Sequence, residues 1–432
     1  MITATPGMDV LYVWSRIVPL VNTVFYNCIS VGNILSCKRW QAPHLNTTPS
    51  SLSTMRLNRS FVVVLSLLAL LLVYIGMRLL PDLALGLGGS AVAIVLLAVL
   101  GALVPVGLMS SSLRRRRWSD ALAWLGLLSM GLFSSLLVTT LLRDLILLVL
   151  LPFDALTPAL AYASALAVPL IALAVTVIGY VNARRVARVV RVDVPIRDLP
   201  PALRGYAIAQ ISDIHVGPTI KRPYLDAIVD KVNALGADAI AVTGDLVDGS
   251  VQRLATHTAP LARLKASDGV FFVTGNHEYY SGALEWIAEV RRLGLTVLMN
   301  EHVVRRRGDA TVMIAGVADY TAHHFHPEHK SDPQRAAHGA PGHVDVRVLL
   351  AHQPRSAPQA AAAGFNLQLS GHTHGGQFFP WNLFVPLQQP FVAGLNRVRD
   401  MWVYTSRGTG YWGPPKRFGA PSEITLVRLV PA

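Results

Sequence analysis

Seven polar residues of metal-binding type recur in short blocks along the second half of the chain, most of them beside glycine. They are Asp213, His215, Asp245, Asn276, His352, His372 and His374. Four imidazoles, two carboxylates and one amide are more donors than one divalent ion takes from such residues, whereas two ions that share a bridging carboxylate can use them all. Mixed nitrogen and oxygen donors favour Mn²⁺, with Fe or Zn²⁺ as alternatives, over Ca²⁺ or Mg²⁺.

Each block follows a short apolar run that is typical of a β-strand. The runs begin at Tyr206, Ala239, Val270, Val346 and Leu367. Sheets of α/β proteins build their sites in the crevice beyond the carboxyl ends of the strands. Between the first two runs, apolar residues at helical spacing from Leu225 to Leu235 predict a crossover helix. We therefore expect an α/β domain over residues 196–432 with its site at these strand ends.

The five blocks, in this order, resemble the pattern of the calcineurin-like metallophosphoesterases: D-x-H, G-D, G-N-H-[ED], a lone H and G-H-x-H. The resemblance covers about Tyr206 to Leu429. It implies a four-layer α/β/β/α sandwich. It also implies which ion each residue binds: Asp213, His215 and His374 one ion, Asn276, His352 and His372 the other, and Asp245 both.

The chemistry of such a pair is hydrolysis of a phosphorus ester, because two cations activate water and neutralise phosphoryl oxygens. His277 directly follows Asn276 and is the candidate catalytic general acid for the leaving oxygen. A residue that only contacts phosphate or packs in the core is the alternative for His277. Arg407 and Arg417 are either phosphate clamps or solvated surface residues.

Two further segments resemble a membrane-anchored bacterial branch of the same family, His374-Gly-Gly-Gln377 and Ser406-Arg-Gly-Thr-Gly410. Some members of that branch are linked to cleavage of the pyrophosphate of UDP-2,3-diacylglucosamine in lipid A synthesis. One departure is that the late Pro-Glu of such chains reads Pro421-Ser422-Glu423 here, so Glu423 receives no role.

The composition excludes a disordered chain and an ordinary soluble enzyme. Of 432 residues, 52% are hydrophobic and only 15% are charged, against roughly 25% charged in soluble domains. Four apolar stretches reach the length of about 20 residues that a bilayer requires. They are about 61–80, 90–109, 121–142 and 158–181, within a transmembrane region of residues 55–192. The mostly apolar link over residues 143–157 either continues the third helix or lies along the interface.

Basic clusters predict the orientation, because Lys and Arg resist translocation. Four spans place three clusters on one side: Arg56 and Arg59, then 114–117, then the arginines of 184–191. The domain over 196–432 is therefore predicted to be cytoplasmic, at the inner (plasma) membrane. Residues 1–195 carry a net charge of +9 and the remainder +4, so nucleic acid is not expected as a partner. Two cysteines, Cys28 and Cys37, exclude a disulfide framework.

Two segments do not fit this division. Residues 1–54 have mixed composition, and Met55-Arg-Leu-Asn-Arg reads as a natural start before a span. We hypothesise that Met55 is the initiator and that the stretch before it is a disordered leader or a gene-model extension. Six histidines lie within 322–344, either as a third metal site or as a flexible insertion near the site. Asp319 ends another apolar run, without an assigned role.

These patterns predict a membrane-anchored dinuclear-metal phosphohydrolase. The expected partners are the lipid bilayer and a phosphorylated small-molecule or lipid substrate, such as a nucleotide-lipid like UDP-2,3-diacylglucosamine. The alternatives are a cyclic-nucleotide or general phosphodiesterase, and a catalytically silent metal-binding membrane scaffold. A transporter is disfavoured because the spans contain few charges. The oligomeric state stays open.

Overall fold

The computed structural model describes residues 59–110 and 116–432. The hypothesis about Met55 and residues 1–54 falls outside them. Two compact units divide the chain, with Leu173 as the last residue of the first unit and Ala174 as the first residue of the second. The predicted limits, 55–192 and 196–432, follow composition, whereas the contacts assign residues 174–192 to the second unit.

Four long apolar helices occupy the described residues before position 185, which confirms the four apolar helices that the sequence predicts. They are α1 (Arg59–Leu83), α2 (Gly86–Met109), α3 (Arg116–Leu150) and α4 (Pro158–Arg184). Each is long and apolar enough to cross a membrane. The third helix runs on through Arg143 and is followed by a single 3₁₀ turn, Leu151–Phe153, so most of the apolar link continues it.

Two neighbouring charged residues of α3 find partners on α1. Arg143 pairs with Asp82 and donates to the carbonyl of Arg78 at 2.9 Å. Asp144 accepts from the Tyr74 hydroxyl at 2.6 Å and from Arg78 Nε at 2.8 Å. Polar groups among apolar helices are costly unless they are paired, so these contacts tie α3 to α1.

Small residues bring α2 and α3 together. A Cβ added to Gly126 would lie 2.4 Å from the Gly107 Cα. The two backbones are therefore in direct contact, as is common where membrane helices meet at glycines.

The second unit is built on two six-stranded sheets. In sheet order, the first contains β1 (Arg188–Ile196), β12 (Glu423–Pro431), β2 (Ala207–Ile211), β3 (Ala239–Val242), β4 (Val270–Phe272) and β5 (Thr296–Val297). The second contains β10 (Gly394–Val398), β11 (Met401–Thr405), β9 (Leu367–Ser370), β8 (Val346–Leu350), β7 (Ala310–Gly316) and β6 (Glu301–Arg307). Strands β2, β3 and β4 run parallel, and so do β7, β8 and β9.

Helices follow the strands of both sheets, and several of them cover the outer faces. They are α5 (Arg222–Asn233), α6 (Val251–Thr258), α7 (Asn276–Ser281), α8 (Ala283–Arg292), α9 (Pro333–Ala337) and α10 (Ala357–Ala362). One core lies between the sheets and includes Ile208 and Val348. The first sheet packs on α5 and α8, and the second on α9 and α10. This arrangement confirms the α/β/β/α sandwich, and α5 is the predicted crossover helix.

The alternation of side chains along β2 explains the layering. Ile208 enters the core between the sheets, whereas Ala209 and Ile211 face the helices. Gln210 is buried between the sheets, where its amide donates to the Ser370 carbonyl and the Thr243 hydroxyl, both at 2.9 Å. Parallel strands from both sheets thus end at one edge of the sandwich.

Candidate metal centre

The predicted ligands follow the carboxyl ends of β2, β3 and β4 in one sheet and of β8 and β9 in the other. All seven are buried except His372, which is partly buried. Burying so many polar groups is costly unless each has a hydrogen bond or a metal ion as partner.

The backbone at these strand ends is strained. Five of the seven residues have positive φ angles between 50° and 71°: Asp213, His215, Asp245, His372 and His374. Such left-handed conformations are uncommon outside glycine and cost on the order of 1–3 kcal/mol each. The rest of the fold therefore imposes these conformations, which turn the side chains toward one another.

Two motif glycines allow the strand-end loops to touch. A Cβ at Gly275 would lie 2.2 Å from Asp245 Oδ1, and one at Gly371 would lie 2.1 Å from Asp213 Oδ2. No other residue leaves room for these carboxylates.

Asp213, His215 and His374 form the first cluster. His215 Nε2 lies 3.1 Å from His374 Nε2, which in turn lies 3.4 Å from Asp213 Oδ1. Both Asp213 oxygens also accept the backbone N–H of His372, at 2.9 and 3.1 Å.

Asp245, His352 and His372 form the second cluster. His352 Nε2 lies 3.1 Å from Asp245 Oδ2 and 3.2 Å from His372 Nδ1. Asp245 Oδ2 also lies 3.8 Å from His215 Nε2 of the first cluster. The Asp245 carboxylate therefore lies between the two clusters, as a bridging ligand would.

The donor set fits a pair of divalent cations. Metal–nitrogen bonds of about 2.0–2.1 Å place neighbouring ligand atoms roughly 3.0–3.4 Å apart, which is the spacing within both clusters. Asn276 Oδ1 is buried and has no hydrogen-bond partner among residues 59–110 and 116–432. An orphaned carbonyl oxygen at such a site is explained by a metal ion.

A neighbouring carbonyl holds His352 in the tautomer that binds metal. His352 Nδ1 donates to the Thr243 carbonyl at 2.8 Å, which leaves Nε2 as the free donor atom. Arg417 Nη2 lies 3.0 Å from His374 Nδ1. Because a guanidinium can only donate, this contact excludes the doubly protonated form of His374. Burial and the charge of Arg417 accordingly lower the pKa of His374.

Asp248 joins the predicted acid to the first cluster. Its Oδ1 accepts from His277 Nδ1 at 2.5 Å and lies 3.2 Å from His215 Nδ1. Burial disfavours a charged His277, but the carboxylates of Asp245 and Asp248 outweigh it and raise the pKa of His277 to about 9. His277 Nε2 points toward Asp245 Oδ2, 3.9 Å away. His277 thus lies beside the clusters with a proton to donate.

Comparison with known proteins agrees with this geometry. The sequence profile described as calcineurin-like phosphoesterase matches residues 206–376. An uncharacterized metallophosphoesterase of Aquifex aeolicus is 30% identical over 227 residues, which cover 51% of this chain and 84% of that protein. The chain belongs to the calcineurin-like metallophosphoesterase family.

Other relatives of this metallophosphoesterase are membrane proteins by name. The transmembrane protein with metallophosphoesterase domain of Bos taurus is 41% identical over 285 residues, 63% of this chain and 64% of that protein. Its namesake in Danio rerio is 40% identical over 261 residues, 59% of this chain and 60% of that protein. The chain thus spans less than two thirds of the length of these relatives.

Two acids that shape this metallophosphoesterase site, the partly buried Asp248 and the buried Glu278, received no role from the sequence. Asp248 follows Asp245 by three residues, and that spacing was the available signal. Glu278, the last residue of the G-N-H-E block, accepts the backbone N–H groups of Gly275, Asp245 and Leu246 at 2.6, 3.0 and 2.8 Å. Burial and the charge of Asp245 raise the pKa of Glu278 to about 8. It clamps the β3 and β4 loops together.

Of the two arginines singled out in the sequence, Arg417 matches neither expectation. Arg417 is fully buried and donates to backbone carbonyls, including that of Arg407 at 2.7 Å. Arg407 pairs with Glu423 at 3.0 Å, and Glu423 also accepts from the Tyr404 hydroxyl at 2.7 Å. Arg417 and Glu423 are therefore buried supports of the loop beside His374.

The remaining sequence features lie around the site. Asp319 is buried and accepts from the Gln353 amide at 3.0 Å, next to His352. The histidine-rich segment contains two 3₁₀ turns and α9. His329 Nδ1 lies 2.9 Å from the Tyr279 hydroxyl. This segment packs against α7. Of the two readings that the sequence left open for it, this packing differs from that of a flexible insertion.

Proposed function

We propose that this protein hydrolyses a phosphoester or pyrophosphate bond with the help of two divalent cations, Mn²⁺ before Fe or Zn²⁺. The observation that carries the proposal is the meeting of seven donors from five strand ends around Asp245, with His277 beside them. In this proposal Asp213, His215 and His374 hold one ion, and Asn276, His352 and His372 hold the other. Asp245 bridges the two ions.

The bound ions would supply an activated water molecule and would neutralise charge on the phosphoryl oxygens. The protein contributes position and a proton. Asp248 keeps the proton on His277 Nδ1, so His277 Nε2 is directed toward the centre. A proton delivered from His277 to the leaving oxygen makes an alkoxide or phosphate a better leaving group. Glu278 holds the β3 and β4 loops at the distance that the centre needs.

We further infer a lipid-linked or nucleotide-lipid substrate, such as UDP-2,3-diacylglucosamine, at the cytoplasmic face of the inner membrane. Four apolar helices precede the domain, and the relatives from Bos taurus and Danio rerio are named transmembrane proteins. A tethered enzyme meets membrane lipids far more often than soluble nucleotides. The modest net charge of residues 196–432 does not provide the strongly basic surface that nucleic-acid binding requires.

Purified protein loaded with Mn²⁺ tests the activity. We expect turnover of bis-p-nitrophenyl phosphate and two metal ions per chain by elemental analysis. Asp245→Asn should lose both metal and turnover. Asp400→Asn is the matched control, because the Asp400 side chain is 81% exposed and distant in sequence from every strand-end block. Fully loaded protein that turns over no ester would favour the silent scaffold.

Substrate and orientation need separate measurements. Hydrolysis of UDP-2,3-diacylglucosamine should exceed that of cyclic nucleotides if the lipid-linked proposal holds, and the reverse order would favour the phosphodiesterase. A fluorescent reporter fused after Ala432 should fluoresce in the cytoplasm. A periplasmic signal from that fusion would overturn the orientation.

A further inference from the structure

An apolar segment without charge follows the metal centre. No Asp, Glu, Lys or Arg occurs between His374 and Arg397. Within it, residues 379–387, here called the apolar strap, form two 3₁₀ turns, Trp381–Leu383 and Val385–Leu387. Five large side chains of the strap are exposed: Phe379 55%, Trp381 42%, Leu383 62%, Phe384 44% and Leu387 60%. Only two other large apolar side chains are that exposed within residues 185–432.

So much exposed apolar surface in nine residues is unusual for a soluble face and marks an interaction site. The strap combines two phenylalanines, a tryptophan and two leucines. Aromatic and aliphatic side chains of this kind are enriched where proteins meet the boundary between lipid headgroups and acyl chains.

Within the second unit, the strap is joined to the end of α4. Phe379 N–H donates to the Phe418 carbonyl at 2.9 Å, and Lys416 Nζ lies 4.8 Å from the centre of the Phe378 ring. Arg417, which lies between Lys416 and Phe418 in the chain, donates its backbone N–H to the Gly179 carbonyl at 2.8 Å. A Cβ at Gly179 would lie 2.6 Å from Lys416 Cγ, so the contact is close.

This junction lies near the end of the apolar part of α4. Gly179 is five residues before the last helical residue, Arg184, which is about 7–8 Å along the axis. Val177, Ile178 and Val181 of α4 are 52%, 50% and 40% exposed. A basic run that begins at Arg184 follows, as is usual where a span leaves the bilayer. The strap is thus attached near the end of the apolar part of α4, where we expect the lipid headgroups.

The strap is also joined to the metal centre. Gly376, two residues after His374, approaches the strap so closely that a Cβ there would lie 2.2 Å from Asn382 Cα. The Gln377 side-chain amide donates to the Trp412 carbonyl and accepts the Trp412 backbone N–H, both at 2.8 Å. The Trp412 ring in turn lies 5.6 Å from that of His277. One short stretch of chain therefore connects the end of α4 with the candidate metal centre.

We propose that the apolar strap inserts into the headgroup–acyl boundary of the bilayer that holds α4. Its insertion sets the metal centre beside the phosphates of the lipid headgroups. The proposal concerns membrane contact alone and does not depend on the hydrolytic activity.

Depth measurements on protein in lipid nanodiscs test the strap. In a Cys28→Ser, Cys37→Ser background, Leu383→Cys is labelled with an environment-sensitive fluorophore. The nanodiscs contain phosphatidylethanolamine and phosphatidylglycerol, with or without acyl chains spin-labelled near the headgroup. The matched control is Ala234→Cys, because Ala234 is exposed and precedes β3, at the sheet end opposite to the metal centre. Leu387→Cys replaces Leu383→Cys if the latter fails to fold.

We expect the label on the strap to emit at shorter wavelength and to be quenched at least three-fold more by spin-labelled lipid than the label at Ala234. Iodide in the water should quench the two labels in the opposite order. Equal quenching of both labels by iodide would overturn the proposal. So would protection from iodide without quenching by lipid, because that result would mean that protein covers the strap.

Discussion

Asp248→Asn tests the link between the acid and the first cluster. The change keeps the shape of the side chain and removes its charge. Hydrogen bonds to charged groups contribute about 1.5–3 kcal/mol, and those between neutral groups about 0.5–1.5. Each of the two imidazole contacts therefore loses roughly 1–1.5 kcal/mol, or about 2–3 kcal/mol together. At 1.36 kcal/mol per factor of ten, kcat should fall about 30–150-fold.

The loss should depend on the leaving group. A p-nitrophenolate leaves without a proton, so only the contact with His215 matters, and we expect a fall of about 5–12-fold. An alkyl phosphodiester needs the proton from His277 and should show the full loss. Kinetics on both substrates, with metal content checked by elemental analysis, give the answer, and Asp400→Asn should match the parent protein on both.

A double-mutant cycle refines this test. In the His277→Ala background, Asp248→Asn should lower kcat only by the amount due to the contact with His215. The reason is that the effects of coupled residues are not additive. Equal losses on both esters, together with additive effects of the two substitutions, would refute the view that Asp248 acts through His277. Loss of one ion per chain would assign Asp248 to metal binding instead.

Three more substitutions test the packing around the site and between the helices. Gly371→Ala places a Cβ 2.1 Å from Asp213 Oδ2. Elemental analysis of the folded variant should therefore find about half of the parent's metal content or less. Full metal loading would contradict the close approach. Arg417→Met removes a buried cation and leaves several carbonyls unpaired, at about 3 kcal/mol. That corresponds to a lower melting temperature by about 6–12 °C for a domain of this size, whereas an unchanged value would show that solvent replaces the guanidinium. Gly126→Leu should separate α2 from α3 and lower the yield of folded protein in detergent, while Gly88→Leu, where a Cβ meets nothing within 4 Å, serves as its control.

Local pattern was sufficient for much of this protein. Apolar runs of bilayer length predict α1 to α4 because a helix in lipid must be apolar along its whole length. Short apolar runs that end in Asp, Asn or His predict the strand ends, because parallel strands finish at one edge. The donor types alone indicate a pair of divalent ions.

Contacts between distant segments decided the rest, because chain order does not reveal which loops meet. Asp248 reads as an ordinary loop residue until the fold places it between two imidazoles. Arg417 reads as a phosphate clamp or a surface residue until its backbone carbonyl partners enclose it. The left-handed backbone at Asp213 and Asp245 is likewise imposed by surrounding structure, since their own preferences do not favour it. The sequence by itself determined which donors exist and at which strand ends they lie, and only the tertiary structure decided how those donors are oriented, protonated and supported.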